Sequence, residues 1–543
     1  MQKNRFKSDL AANVFRFKYA QSPDDDWDQC AERIVEDVCG TRWGTAQALM
    51  SVDERKQLAE YIKTMAFVPG GRYIYYAGRP NSYYNNCYLL RAEHDTREEW
   101  ADLAKRSTSC LMTGGGIGVD YSVLRAKGKP IRRTGGVSSG PLSLMSMINE
   151  IGRNVMQGGS RRSAIYASLN WKHEDIPDFL KAKNWSEQIK NLKAEDFNFP
   201  AMLDMTNISL NYDDAWLDKQ DRHLDATFLQ NCRQAMETGE PGFSFNFREK
   251  QNETLRNACT EVTSEDDSDV CNLGSVNLGV ITSLDELRSV VSLASKFLVC
   301  GTLRASLPYE KVYQVREKNR RLGLGLMGIH EWLLKKGYGY EVVPELKQWL
   351  EVYKDESEKS GREHCDRFYL SHPAAFRSIA PTGTLGILAS TTTGIEPLFA
   401  VAYKRRYVKD GDRWHYEYCV DSTADILIKQ GIDPEKIETA YKLSGDYEKR
   451  IKFQYDCQQY VDMSISSTLN LPAWNSKHNN ESLVPHFAET LAKYAPGLRG
   501  MTCYPDSSRG GQPLTEVPYK EAILHKGVVF EENDACKGGV CGI

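Results

Sequence analysis

The sequence predicts an α/β fold: a parallel sheet or barrel behind a small helical N-terminal region. Three observations predict it. Helical apolar spacing fills the first 65 or so residues. From residue 67 short apolar segments alternate with glycine clusters and helical stretches. The length of 543 residues also allows one large α/β barrel to use most of the chain.

The elements follow in order. WDQCAERIVEDVCG (27–40) and TAQALMSVDERKQLAEYIKTMAF (45–67) carry apolar residues at three- and four-residue steps, the mark of amphipathic helices. GGGIGVDYSVL (114–124), SAIYASLNW (163–171), VCNLGSVNLGVI (270–281) and TLGILAS (384–390) read as strands or strand ends. LSLMSMINEIGRNVM (142–156) and LDELRSVVSLASKFLVCG (284–301) read as helices. GLGLMG (323–328) follows a charged, helix-like VREKNRRL instead of an apolar strand, so it predicts close helix packing and no dinucleotide site. The acidic run SEDDSD (264–269) reads as a solvated loop. From about residue 505, glycine, proline and charge predict an extended, mobile tail.

Composition narrows the function. Lys plus Arg is 69 and Asp plus Glu is 73, a formal net charge of −4 that argues against a nucleic-acid partner. No run of about 18 apolar residues occurs, so no transmembrane helix or membrane partner is expected. The first twenty residues lack the apolar stretch of a signal peptide, and a cytoplasmic location is expected. In a reducing compartment the informative members of the 14 cysteines are catalytic or metal-binding, not static crosslinks. No CxxC, HExxH or paired-histidine spacing appears, so no protein-ligated metal is expected; His173 and His330 read as structural.

The chemistry concentrates in a few segments. In NACTE, Asn257, Cys259 and Glu261 lie at i, i+2, i+4, which on extended backbone sends an amide, a thiol and a carboxylate to one side. A buried thiol beside a carboxylate keeps its proton, which suits Cys259 to hydrogen-atom chemistry rather than thiolate attack. Cys271 follows in CNLGSVNLG, and Cys87 lies upstream in NSYYNNCYLL. Cys536 and Cys541, in CKGGVC, form a dithiol suited to carrying reducing equivalents by exchange. Pro381, Thr382, Gly383 and Thr384 resemble a helix start able to hold phosphates. Gly115 and Gly116 allow backbone to approach a ligand closely. Locally each pattern also admits a plainer origin: an edge strand with a chance cysteine, a chance pair at the chain end, or an ordinary capped helix.

Taken in order, NNC (85–87), GGGIG (114–118), NACTE (257–261), CNLGS (271–275), EKNRRLGLGLMGIHEWL (317–333), APTGT (380–384) and the terminal CKGGVC resemble the catalytic subunit of ribonucleotide reductases. The resemblance implies a ten-stranded α/β barrel with an internal finger loop at 67–504, a helical region at 1–66 and a flexible redox tail at 505–543. By position, Cys259 is implied as a thiyl radical that takes the 3′ hydrogen of the ribose. Glu261 would take the 3′-hydroxyl proton and Asn257 would bond the same region. Cys87 and Cys271 would supply two reducing equivalents and close a disulfide. Cys536 and Cys541 would reopen it and be recharged by a thioredoxin- or glutaredoxin-like partner. Pro381, Thr382, Gly383 and Thr384 would hold the substrate phosphates, with Gly115 and Gly116 also against the ribonucleotide. Asp95 would bind a dNTP or ATP effector in a homodimer, and residues 181–198 would be a mobile link from effector to substrate.

Members that draw their radical from a metal subunit carry adjacent tyrosines late in the barrel. Here RGMTCYPDSSRGG (499–511) has Tyr504 alone behind Cys503. The glycyl-radical type needs a cysteine-rich zinc site, which the absence of CxxC opposes. The remaining resemblance is to the adenosylcobalamin-dependent class in a short, phage-like form. Cobalamin follows here from resemblance and elimination, not from a binding signature, and the alternative is a catalytic subunit that needs a metal-radical partner.

Overall fold

The computed structural model describes residues 5–41, 47–132, 135–155, 163–196, 199–409, 413–506, 514–525 and 529–531. Helices Asp9–Lys18, Trp27–Cys39 and Val52–Lys63 form the N-terminal region. Ser8 caps the first; Asp26 with Gln29 and Ser51 with Glu54 form reciprocal capping boxes on the others. Trp27, Ile34 and Val38 are buried, and the Trp27 indole donates to the Ile62 carbonyl at 3.0 Å.

The strands are β1 (Phe67–Pro69), β2 (Cys87–Arg91), β3 (Gly116–Asp120), β4 (Ile165–Asn170), β5 (Thr206–Tyr212), β6 (Gly242–Phe245), β7 (Leu255–Arg256), β8 (Thr263–Ser264), β9 (Asp269–Asn277), β10 (Leu322–Met327), β11 (Ala402–Lys409), β12 (Arg413–Val420), β13 (Thr468–Leu471), β14 (Gly500–Pro505), β15 (Leu514–Glu516) and β16 (Val529–Glu531). Ten belong to one sheet. β2 to β6 run parallel in chain order. β9 and β10 pair in parallel, as do β13 and β14. The two halves meet antiparallel at β2–β9 and at β6–β14. Residues 377–379 bridge β10, through Leu324 and Arg377, to the approach of β13, through Ile379 and Ile465. The pairings therefore return to their start, giving the barrel. Crossover helices cover it; Leu284–Arg304 and Pro344–Arg367 pack on each other outside. β7 and β8 form a short antiparallel hairpin, the finger, against β2 and β3.

Several segments depart from expectation. TLGILAS is helix Gly383–Ala389, not a strand: Thr382 adopts φ 51° and its carbonyl accepts from the Gly386 N–H, which starts a helical turn. GLGLMG is β10, not a helix contact. A side chain on Gly323 would meet Leu273 at 2.3 Å and one on Gly325 the Ser378 carbonyl at 2.7 Å, so the glycines serve close strand packing. Residues 181–198, expected as a mobile link, carry helix Glu187–Glu195; Lys193 bonds Asp204 and the Trp185 indole donates to the Met202 carbonyl. The expected tail is partly built into the fold. β15 pairs with β11 and β16 with β12, because a two-stranded hairpin leaves both edges open to further strands. Cys536 and Cys541 lie outside the described residues. No helix among the described residues is long and apolar enough to cross a membrane.

Candidate functional site

The site is built where the barrel halves meet. Cys87 opens β2 and Cys271 sits in β9, and the antiparallel register sets them directly opposite one another. Opposed residues on antiparallel strands have Cα atoms about 4.5–5.5 Å apart, inside the range a disulfide requires. Both thiols are buried and free. Burial pushes both well above the ordinary thiol range, and the Glu261 carboxylate adds to the effect on Cys87.

The finger tip brings two side chains, Asn257 and Glu261, to that pair. The Asn257 amide donates to Cys87 Sγ at 2.9 Å, and its Oδ1 accepts from the Val262 N–H at 2.9 Å. The Cys87 thiol donates to Glu261 Oε1 at 3.8 Å. Glu261 is 1% exposed, and its Oε2 has no hydrogen-bond partner among the described residues. Burial raises this carboxyl from 4.5 to about 7, beyond what its hydrogen bonds offset. It is thus poised to exchange a proton near neutrality with a hydroxyl brought to Oε2.

The expected extended NACTE does not form. Thr260 takes φ 69° and its N–H closes a turn on the Asn257 carbonyl at 3.0 Å. Asn257 and Glu261 stay buried while Cys259 is exposed at the apex. The thiol in contact with the carboxylate is therefore Cys87. Cys259 opens on a cavity of about 290 Å³ lined by Asn207, Glu240, Pro381, Thr468, Thr502 and Tyr504, among others. Asn207 also steadies the tip, its amide donating to the Ala258 carbonyl at 3.2 Å.

The other expected residues fall around this centre. Pro381 reaches the Cys259 cavity. The Thr382 hydroxyl accepts from the Gly394 N–H at 2.9 Å, Gly383 faces open space, and Thr384 accepts from Lys18 of the first helix at 3.1 Å. A side chain on Gly115 would meet Tyr88 at 2.4 Å and one on Gly116 the Ala258 methyl at 3.1 Å, so the close approach they allow is taken by the protein itself. Asp95 pairs with Arg125 at 2.5 Å on the wall of a separate cavity of about 980 Å³, with Trp100, Ile131 and His173.

The acidic run is solvated only in part: Glu265 is exposed and Asp266 half-buried, but Asp267 and Asp269 are buried. Asp267 is held by Arg106 at 2.6 Å and Lys311 at 2.8 Å, and Asp269 by Arg321 at 2.6 Å. Both carboxylates are buried because cations from neighbouring helices and strand ends neutralise them, and the run anchors the return from the finger into β9. His173 and His330 bond backbone groups of Leu124 and Leu398. No group of three or more His, Cys, Asp or Glu among the described residues is arranged to hold a metal. Sequence reasoning missed Asn207 and Arg256, the latter fully buried at the finger root. A lone polar residue in a strand and an arginine ahead of a motif carry no local signal.

Comparison with known proteins adds a family match and three relatives. A family profile described as ribonucleotide reductase, barrel domain, matches residues 85–204, 219–348 and 371–504. The chain is 26% identical to a vitamin B12-dependent ribonucleoside-diphosphate reductase of Mycobacterium tuberculosis (strain CDC 1551 / Oshkosh), over 90% of this chain and 76% of that protein. It is 26% identical to a protein of the same name from Thermoplasma acidophilum, over 84% and 66%. It is 24% identical to a putative adenosylcobalamin-dependent ribonucleoside-triphosphate reductase of Mycobacterium phage D29, over 78% and 71%.

Proposed function

The chain belongs to the ribonucleotide reductase barrel family, and from that premise we propose that it reduces ribonucleotides to 2′-deoxyribonucleotides with adenosylcobalamin as its radical source. The observation that carries the proposal is the facing register of Cys87 and Cys271 with the Glu261 carboxyl on the Cys87 thiol. A dithiol that the reaction oxidises, with an acid near neutrality and a third thiol that it regenerates, are the groups that the reaction uses.

In this reading Cys259 carries the thiyl radical and takes the 3′ hydrogen. Glu261 takes the 3′-hydroxyl proton through Oε2, and the 2′-hydroxyl leaves as water. Cys87 and Cys271 supply two electrons and two protons and close a disulfide; Asn257 holds the Cys87 sulfur toward the sugar. The hydrogen on Cys259 then returns to the 3′ carbon. Pro381, Thr382, Gly383 and Thr384 are proposed at the substrate phosphates. The Asp95 cavity is proposed for a dNTP or ATP effector in a homodimer. Cys536 and Cys541 are proposed to reopen the disulfide, with a thioredoxin- or glutaredoxin-like protein as their source.

The cavity beside Cys259 fits the nucleoside end of adenosylcobalamin. Asn207, Glu240, Thr468, Thr502 and Tyr504 offer polar groups around a space of about 290 Å³, just below the ~300–1,000 Å³ usual for small-molecule sites. When bound, that group supplies one-electron chemistry through its cobalt–carbon bond.

The test is an anaerobic assay of the purified chain with ribonucleoside di- and triphosphates and a small dithiol, with and without adenosylcobalamin. Deoxynucleotide is expected only with the cobalamin. Product that appears only when a metal-radical protein is added overturns the cofactor assignment, and absence of product under every condition overturns the function.

A further inference from the structure

The finger carries the reacting side chains, yet it is a hairpin of two residues per strand. Its own ladder is too short to hold a fixed position. What holds it is legible at its root. Arg256, the residue before Asn257, is 1% exposed. One guanidinium nitrogen donates to the Glu253 and Leu255 carbonyls at 2.5 and 3.1 Å. The other donates to Asn246 Oδ1 at 2.7 Å, the Arg499 carbonyl at 3.2 Å and the Phe245 carbonyl at 3.4 Å. Phe245 ends β6 and Arg499 precedes β14, so the guanidinium bridges the finger root to one of the two antiparallel junctions of the barrel. The cysteine pair occupies the other.

Its environment is unusual for a buried cation. The hydrogen bonds from its terminal nitrogens go to carbonyl or amide oxygens and none to a carboxylate. The nearby Glu253 carboxylate binds Thr263 at 2.7 Å, Arg499 at 3.0 Å and Lys250 at 3.3 Å. Burial drags the guanidinium down to about 9, which leaves it charged at neutral pH with its donors intact. On the other side the root lies flush on β3: a side chain on Gly118 would stand 1.6 Å from the Arg256 carbonyl oxygen. The two terminal nitrogens of the planar fork satisfy several diverging carbonyls at once, while Nε has no partner among the described residues; a lysine ammonium has three donors at one point.

We propose that Arg256 is a positioning residue for the reaction: its guanidinium fixes the finger root to the β6–β14 junction, against Gly118, and so sets the approach of Asn257 and Glu261 to Cys87. The inference rests on the proposed function for its catalytic consequence, but not for its structural one. A displacement of about 1 Å in a reacting constellation can cost about 100-fold in rate. A lifted finger also uncovers Cys87, which Asn257 now covers, and hydrates Glu261.

The experiment compares the full-length chain with Arg256→Lys. Three quantities are read: the rate at which iodoacetamide labels Cys87 without substrate or cofactor, kcat and KM for deoxynucleotide formation, and the acid limb of the pH–rate profile. The expected result is Cys87 labelling at least tenfold faster, kcat lower by about 100-fold with KM within threefold, and an acid limb moved below the wild-type value near 7. Unchanged Cys87 labelling, or a kcat loss that only tracks the folded fraction with the acid limb in place, overturns the proposal. If Arg256→Lys does not accumulate as folded protein, Asn246→Ala removes the side-chain acceptor, leaves the carbonyls, and is judged by the same criteria. If the wild-type chain itself makes no deoxynucleotide, the function falls, and the labelling of Cys87 alone decides the positioning role.

Discussion

Glu261 is a carboxyl that the fold keeps short of water. Because burial raises it from 4.5 to about 7, its base form is scarce below neutrality. The rate of the chemical step is therefore expected to rise tenfold per pH unit below about 7 and to level above it. A profile flat from pH 5 to 8 would contradict Glu261 as the base. The same shift has a stability consequence of opposite sign. Between pH 4.5 and 7 the unfolded carboxyl releases its proton while the folded one keeps it, so the unfolded state binds fewer protons and stability falls as pH rises. Once ionised in the folded state the group costs ~3 kcal/mol. Glu261→Gln should thus lose turnover yet melt higher than wild type at pH 8, with the gain absent at pH 4; an unchanged melting temperature at pH 8 would contradict the burial cost. Cys259→Ser should abolish product while nucleotide binding survives, measured by equilibrium dialysis.

At the scale of elements, β9 does three things with one nine-residue strand. It pairs with β2 at the cysteines, with β10 on its other edge and with β1 near its end. The acidic turn that delivers the finger into β9 is pinned by buried ion pairs, and these differ in worth. Arg321 and Asp269 are both nearly inaccessible. Arg321→Met leaves a buried carboxylate without its cation and is expected to destabilise by ~3–5 kcal/mol. Asp266 and Lys318 are partly exposed, and Lys318→Met is expected to cost below ~1 kcal/mol. Urea unfolding midpoints of the two variants test the contrast; equal shifts would refute it. Helix Gly383–Ala389 illustrates the ambiguity of short apolar runs: its seven residues carry no strand-or-helix preference that a window resolves, and the left-handed Thr382 ahead of it decides.

At the scale of the whole molecule, the C-terminal strands β15 and β16 return to the β11–β12 hairpin before the tail cysteines. If the tail shuttles electrons, Cys536→Ser should stop repeated turnover driven by a thioredoxin-like protein while a small dithiol still sustains it. Equal loss with both reductants would refute the shuttle. Much of this organisation was legible in advance. Apolar spacing located the N-terminal helical region, and the cysteine, amide and acid motifs named residues that the fold brings together. The buried Asp267 and Asp269 were not legible, because a charge run looks solvated until its cations, far away in sequence, are known. Nor were β10 and the docked strands β15 and β16, whose conformation depends on neighbours that a local window does not contain.

The sequence by itself determined which groups are present and their family, because side-chain chemistry and its order along the chain are local properties. Only the tertiary structure decided which groups meet. Cys87 lies 170 residues from Asn257 and 174 from Glu261, yet touches both. Cys259, two positions from each, is exposed at the apex of the turn and opens on a cavity. Strand register and one left-handed residue produced that exchange of neighbours, and both are settled by packing across the barrel rather than by the residues' own preferences.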